Sequence, residues 1–360
     1  MMYYLTTMKK MLIIGGAGFI GVNAARYFAK NWQITILDNL SRIGTKHNLE
    51  WLKRDYGEKI TFVKADITKD QKILADLVEK HDAVLHLAAQ VAVTTSIENP
   101  REDFMINILG TFNILEAIRQ SKNKPILLYS STNKVYGSLP NHTVVEKPTR
   151  YVFKQSIPRT YGISETAPID FHSPYGCSKG SADQYVIDYG RIYNLKTVVF
   201  RQSCIYGEYQ FGVEDQGWVA WFVIATHENR PITIYGNGKQ VRDVLFVKDL
   251  IDLYDRAIRQ IDKVSSQVFN VGGGVDNTVS IIECLNLIKQ KVHIPFEITH
   301  SGIRAGDQPI FISDNRKAEK LLGWRPTTPF DQGLNTLIKW VNQHQATLSQ
   351  VKKTLKKAVK

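Results

Sequence analysis

The stretch MLIIGGAGFIG, residues 11–21, decides the fold, because it runs from an apolar strand-like segment through a glycine turn into a helical pattern. Gly15, Gly18 and Gly21 fall there in a GxxGxxG spacing. Such glycines allow a tight turn and a close backbone approach. The helix that follows presents unpaired N–H groups, so a pyrophosphate can sit at its start. About 20 residues on, at the end of ITILDN (34–39), stands Asp38. Its carboxylate can accept hydrogen bonds from a ribose 2′-hydroxyl and repels a 2′-phosphate, which favours NAD over NADP. Arg42, close by, pulls the other way. A lone glycine triplet says little; strand, turn, helix and acid in that order say much more.

Outward from this unit, TFVKAD (61–66), AVLHLAAQ (83–90) and PILLYSS (125–131) read as further strands. Helix-length patterns such as GFIGVNAARYFAK (18–30) and GTFNILEAIRQS (110–121) lie among them. This alternation predicts an α/β fold with a doubly wound parallel sheet. TVVFRQSCIYG (197–207) supplies one more strand, after which the alternation becomes irregular and a smaller mixed α/β domain is expected. The boundaries expected are a cofactor domain over 1–200, a second domain over 201–345, and a basic tail over 346–360, with a chain crossover near 235–270. Asp66 closes the third strand, where it can bond an adenine or cap the helix read from ITKDQKILADL. The small residues of LAAQ (87–90) let a flat dinucleotide lie against the backbone.

Composition narrows the class. The 360 residues are 43% hydrophobic and 22% charged, enough for a full core, and no run reaches the ~18 apolar residues of a membrane span. MMYYLTTMKK lacks a signal-peptide pattern, and Met1 or Met8 could each be the start. Cys177, Cys204 and Cys284 are too scattered for a zinc site or a disulfide framework, so no metal is expected and the cytoplasm is the default. The net charge of +12 includes Lys352, Lys353, Lys356, Lys357 and Lys360 of the tail. That tail has no interleaved arginines and aromatics, so neither nucleic acid nor a membrane is expected as a partner.

SPYGCSK places Tyr175 and Lys179 four residues apart, on one face of a helix. A phenol with its usual pKa near 10 is a poor base, and an ammonium beside it stabilises the phenolate. With a Thr hydroxyl to hold the reacting oxygen, this set suits removal of a hydroxyl proton as hydride leaves the same carbon. One other of the 16 tyrosines has Lys four residues on, Tyr235 in YGNGK. Two glycines between Tyr235 and Lys239 argue against a helix there, so spacing alone does not mark the site.

The glycine turn, LAAQ, SSTNKVYG (130–137), Tyr175 with Lys179, and GNGKQVRDVLFVKDL together resemble the extended short-chain dehydrogenases/reductases, in particular the nucleotide-sugar epimerase/dehydratase group. The likeness spans about residues 9–342. It implies a Rossmann domain, bound NAD and a nucleotide-sugar-binding second domain. Thr132, Tyr175 and Lys179 are then the catalytic hydroxyl, base and lysine. The cofactor is expected against Gly15, Gly18, Phe19, Ile20 and Gly21, against Asp38, Asn39, Asp66 and Ile67, and against Leu87, Ala88, Ala89 and Gln90. Asn107, Ser130, Tyr175 and Lys179 complete that set.

In the dehydratase members the two residues after this Thr are Asp and Glu, the pair that eliminates water. Here they are Asn133 and Lys134, which disfavours dehydration and leaves epimerisation. DFHSPYGCSKGSADQY (170–185), FRQSCIYG (200–207) and DQGWVAWF (215–222) resemble the branch that acts at C2 of a CDP-linked dideoxyhexose. A different nucleotide-sugar epimerase and a non-catalytic NAD sensor are the alternatives. By the same resemblance Arg242 and Arg304 bind the diphosphate, with Asp307 completing an RxGD pattern beside Arg304, and Asp307, Asn133, Lys134 and Ser203 also fall at the CDP-sugar. Arg201 can instead be a buried salt-bridge partner, and Trp218, Trp221 and Phe222 read largely as core. The 137–174 segment is expected as a long sugar-selecting loop. A homodimer or homotetramer is expected from the family fold.

Overall fold

The computed structural model describes residues 8–304 and 306–358. Met1 to Thr7 and the tail side chains from residue 352 on lie outside the described residues. Met1 and the tail lysine side chains therefore have no structural account, whereas Met8 is described and exposed.

The strands are β1 (Lys10–Ile14), β2 (Gln33–Asp38), β3 (Ile60–Lys64), β4 (Ala83–His86), β5 (Ile126–Thr132), β6 (Val144–Glu146), β7 (Tyr151–Phe153) and β8 (Thr197–Gln202). They continue as β9 (Cys204–Tyr206), β10 (Ile232–Tyr235), β11 (Val241–Phe246), β12 (Gln267–Val271), β13 (Thr278–Ser280), β14 (Ile298–Ser301) and β15 (Ile310–Phe311). Seven form one parallel sheet in the order β12-β8-β5-β4-β1-β2-β3. The chain winds one way from β1 to β3 and the other way from β4 on. The crevice at the C-terminal ends of β1 and β4 is where such sheets bind ligands.

Pleating explains why β1 is apolar throughout. Met11 and Ile13 face a core that includes Phe28, Leu250 and Tyr254, while Leu12 and Ile14 face Ile114, Leu115 and Val186. The doubly wound parallel sheet expected from the alternation is thus the one observed. A second sheet joins β9, β11, β13 and β15, and β10 pairs with β14. A separate core of Tyr206, Trp221, Val244, Leu285 and Trp340 lies against it.

Two expectations need correction. TVVFRQSCIYG is not one strand. It breaks at Ser203, whose N–H donates to Val271 O at 2.8 Å and whose hydroxyl donates to Asp243 O at 3.1 Å. β8 stays in the first sheet, and β9 pairs with β11 in the second. The 137–174 segment is not a plain loop either. It holds the β6–β7 hairpin and a short helix, Ser156–Tyr161. Arg150 Nε donates to Glu283 Oε1 at 2.8 Å, and Tyr151 N to Lys239 O at 2.9 Å, fastening the hairpin to the second layer.

Beneath the end of β5 lies a buried ion pair. Arg201 Nε and Nη2 each lie 2.9 Å from a different oxygen of Asp183, and these side chains are 3% and 0% exposed. Ser131 Oγ donates to Asp183 at 2.8 Å, and Arg201 Nη1 donates to the Tyr136 hydroxyl at 3.0 Å. Arg201 is therefore structural. Arg201→Ala strands a buried carboxylate and should cost about 3–5 kcal/mol of unfolding free energy. Urea denaturation reads this, and Arg201→Met combined with Asp183→Leu should recover part of the loss.

Candidate active site

A cavity of about 550 Å³ opens at the C-terminal ends of β1, β4 and β5 and is walled on its other side by the second layer. The glycines of the first turn have separate tasks. Gly15 has φ +79°, and a Cβ there would lie 2.6 Å from Ala88 N. A Cβ on Gly21 would lie 2.5 Å from Gly16 Cα, so the helix can pack on the turn only without one. Gly18 precedes the Phe19–Phe28 helix, which no side chain caps, and Phe19, Ile20 and Gly21 line the cavity. The arrangement leaves backbone N–H groups for an anion.

Asp38 ends β2 at the cavity wall and accepts from Ala17 N at 3.1 Å and Leu40 N at 2.8 Å. Burial raises its carboxyl, against those two amides and Arg42. Asn39 Nδ2 donates to Asp66 at 3.1 Å, and both residues line the cavity beside Ile67. Asp66 does not cap the next helix. It accepts from Thr68 N and Oγ1, at 2.9 and 2.7 Å, and the helix starts only at Gln71. Leu87, Ala88 and Ala89 form the wall opposite the turn.

Gln90 and Asn107 lie behind that wall. Gln90 N donates to Asn107 Oδ1 at 3.0 Å, and Asn107 Nδ2 to Ser178 Oγ at 3.0 Å. Asn107 sits in a π-helical turn, Met105–Leu109, between two α-helical segments. Turns of this kind are frequent at functional sites. They leave no trace in hydrophobic periodicity.

The Pro174–Tyr193 helix positions the next groups. Ser173 caps it by accepting from Gly176 N at 3.0 Å, and Pro174 occupies its first position. Tyr175 and Lys179 share one face, and Thr132, at the end of β5, hydrogen-bonds the Tyr175 phenol. Lys179 Nζ donates to Ser130 O at 2.6 Å and lies 4.3 Å from the Tyr129 ring centroid. Tyr235 and Lys239 are not so paired: Tyr235 ends β10 and donates to Glu214 at 2.8 Å, whereas Lys239 binds Glu146 at 2.6 Å.

The electrostatics correct one expectation. Lys179 does not leave the Tyr175 phenol below its usual range: burial pushes it up to about 12, with the Thr132 hydrogen bond opposing and the Asp103 charge adding. Burial also pushes Lys179 down to about 7, against Asp183 and Asp103. Desolvation is the largest influence on each of the two groups.

At the far end of the cavity every cation has a carboxylate partner. Arg242 Nη2 lies 2.6 Å from Asp307 Oδ1, and Lys134 Nζ is 3.9 Å from the same oxygen and 3.1 Å from Gly306 O. Burial, then Arg242, push Lys134 down to about 8, with Asp307 opposing. Arg304 lies over the Tyr235 ring at 3.7 Å and 2.9 Å from Asp215. Asn133 reaches Gln308 at 3.5 Å, and Ser203 lines the cavity. Trp221 and Phe222 are buried and still line the cavity, as does the more open Trp218. Sequence reasoning missed Glu214, Asp215 and Asp103, which carry no motif of their own.

The family model described as GDP-mannose 4,6 dehydratase matches residues 12–337, and the chain belongs to that family. Within it, the chain is 43% identical over 341 residues to CDP-paratose 2-epimerase of Salmonella typhi, covering 92% of this chain and 99% of that one. Among solved structures it matches UDP-glucuronic acid 4-epimerase from Bacillus cereus, in complex with UDP-glucuronic acid and NAD. That match has a TM-score of 0.79 and 25% identity and covers 93% of this chain and 99% of the other. UDP-glucose 4-epimerase of Thermus thermophilus, in complex with NAD, matches with a TM-score of 0.76 and 27% identity, covering 92% and 99%.

Lys179 gives a pH signature. Its folded value lies below that of an unfolded lysine, near 10.4, so between about pH 7 and 10 the unfolded chain binds more protons. The penalty for burying the ammonium is complete below that window and fades as pH rises through it. The stability of the native protein relative to Lys179→Met should therefore rise by about 2–4 kcal/mol across it, measured by urea denaturation at a series of pH values.

Proposed function

We propose that this protein, an NAD-dependent nucleotide-sugar epimerase, inverts C2 of a CDP-linked dideoxyhexose, interconverting CDP-paratose and CDP-tyvelose. The observation that carries the reading is the grouping of Thr132, Tyr175 and Lys179 beside the glycine cradle, with Asn133 and Lys134 in place of an acid pair. The identity to the Salmonella typhi relative supports the choice of sugar.

The cradle fits NAD. The uncapped helix start receives the pyrophosphate, Asp38 the adenosine ribose, and Asn39, Asp66 and Ile67 the neighbourhood of the base. What NAD supplies when bound is a hydride acceptor that can return the hydride to the same carbon. Thr132 Oγ1 and Tyr175 Oη bracket the position of the reacting sugar oxygen. Burial alone leaves the Tyr175 phenol at about 12, so it can take the hydroxyl proton and later give it back only once positive charge lies beside it. The nicotinamide ring of bound NAD would supply that charge, with Lys179 on the same helix face adding to it. Neither Asn133 nor Lys134 supplies the carboxylic acid and carboxylate of the dehydratase members. Arg242 and Arg304 hold the diphosphate while the keto-sugar turns over, each exchanging its carboxylate partner for phosphate oxygens.

Proton NMR of the protein with CDP-paratose in D2O tests the reading. The C2 epimer should appear without deuterium at C2; deuterium there would mean proton exchange with solvent and exclude hydride return. Absence of conversion would exclude this sugar. Tyr175→Phe should lower turnover by about 10²–10⁴-fold and leave NAD bound, as read by absorbance of the purified variant.

The functional unit is a symmetric pair. Supporting this, Phe112, Tyr185, Ile192 and Tyr193 are exposed apolar side chains on the Gly110–Gln120 and Pro174–Tyr193 helices. The Phe112 and Tyr185 rings are 6.2 Å apart. Burial of such a patch against a second copy is favourable. Light scattering should give a multiple of the chain mass, falling to the monomer in Tyr185→Glu/Ile192→Glu.

A further inference from the structure

The segment that follows β9, residues 207–217, reaches both ends of the cavity, and the chemistry above uses only its tip. There Asp215 lies 2.9 Å from Arg304, and Glu214 accepts from Tyr235 at 2.8 Å. The root of the segment lies against the cofactor side instead. Asn23, on the helix after the glycine turn, donates from Nδ2 to Phe19 O and to Glu208 O, both at 2.9 Å. Asn48 donates from Nδ2 to Ala17 O at 3.1 Å and to Tyr209 O at 3.3 Å. Two side-chain amides thus join the cofactor cradle to the segment. Tyr209 holds φ +67°, a left-handed conformation that a bulky residue adopts only where its surroundings impose it.

Phe211 is where the root meets the loop after β2, which carries the adenosine side of the cradle. Gly44, at φ +80°, ends that loop, and a Cβ there would overlap the Phe211 ring. The ring is stacked on His47 and Trp51 of the Thr45–Tyr56 helix, with centroids 6.3 and 6.1 Å away. Trp340 of the second layer meets it edge-on at 5.8 Å. Phe211 thus fills the corner between the layers, and it lines the cavity together with Arg42 and Ile43. The loop itself, residues 39–43, is largely exposed, and its bonds are mostly local. Leu40 N donates to Asp38 at 2.8 Å, Ser41 N to Asn39 at 3.0 Å and Thr45 N to Arg42 O at 3.4 Å. Exposed segments with few long-range contacts open at little cost, so packing from outside decides how long such a loop stays shut.

We propose that Phe211 is a positioning residue: seated on Gly44, it keeps the adenosine loop shut, so that NAD stays bound from one turnover to the next. The proposal rests on the cofactor assignment above and not on the choice of sugar. An epimerase that returns a hydride to the carbon it came from needs such a latch, because a cofactor lost in mid-cycle strands the keto-sugar. The tip of the segment cannot serve, since Arg304 leaves Asp215 when a diphosphate arrives. The root can, since its partners are the glycine turn and a set of aromatic rings, none of which the sugar nucleotide displaces.

Holoenzyme loaded with radiolabelled NAD and chased with excess unlabelled NAD reads the release rate by rapid filtration, with no sugar present. Phe211→Ala should speed release by about tenfold or more, and Phe211→Leu, which keeps an apolar side chain on Gly44, by less. Gly44→Ala displaces the ring from the other side and should also speed release. Adding it to Phe211→Ala should bring little further gain, because both changes break one contact. Leu285→Ala, on the Ile281–Val292 helix and outside the contacts just described, should lower the thermal midpoint and leave release unchanged. Unmoved release in Phe211→Ala overturns the proposal, as do additive effects of the Phe211 and Gly44 substitutions. Equal acceleration in Leu285→Ala overturns it too, since retention then follows overall stability. Should Phe211→Ala not fold, Phe211→Leu and Gly44→Ala decide, and unmoved release in both overturns the proposal. A failure of the cofactor assignment shows up separately, as no label bound by the native protein.

Discussion

The ion pair between Arg201 and Asp183 is the constraint on which the rest depends. Two charges this deeply buried tolerate little displacement, because each loses its compensation as the other moves away. Asp183 is on the helix that carries Tyr175 and Lys179, and Arg201 is on β8. Ser131, bonded to the same carboxylate, precedes Thr132. The pair thus fixes the helix against the end of β5, so Thr132 and Tyr175 line one cavity. Through Tyr136 it extends to Asn270, 2.7 Å away on β12, and Asn270 Nδ2 in turn donates to Ile163 O at 2.7 Å. The inserted 137–174 segment is tied to the same point.

What was legible in the sequence was what short-range physics determines. The glycine turn declares itself because only glycine tolerates the contact of Gly15 with Ala88 and of Gly21 with Gly16. Tyr175 and Lys179 were separable from Tyr235 and Lys239 because glycines near the second pair forbid the helix that would align them. The break at Ser203 was not legible, since an uninterrupted run of strand-forming residues does not record a change of pairing partner. The 137–174 hairpin was hidden because its anchors, Glu283 and Lys239, lie more than 80 residues further along the chain. Asp103 had no signal at all: its hydrogen bonds depend on Asn107 in a π-helical turn and on Gln90 arriving from another element.

Charge in the cavity is distributed differently from what the net +12 suggests. Lys134 and Arg242 converge on Asp307, and Arg304 on Asp215, so the cations are presented as pairs. An anion brought there would have to displace a carboxylate, so the net gain of each exchange would be smaller than that of meeting a bare guanidinium. The catalytic end shows the opposite arrangement, a buried lysine and phenol both displaced toward their neutral forms.

The step from β8 to β9 at Ser203 has a wider consequence. The chain passes to the second layer there, returns to the first through the Val247–Arg259 helix and β12, and leaves again for β13. Trp324 packs back into the first core before the Phe330–Gln343 helix joins the second. Layers stitched by so many crossings cannot swing like jaws on a hinge, nor can one be grafted without the other.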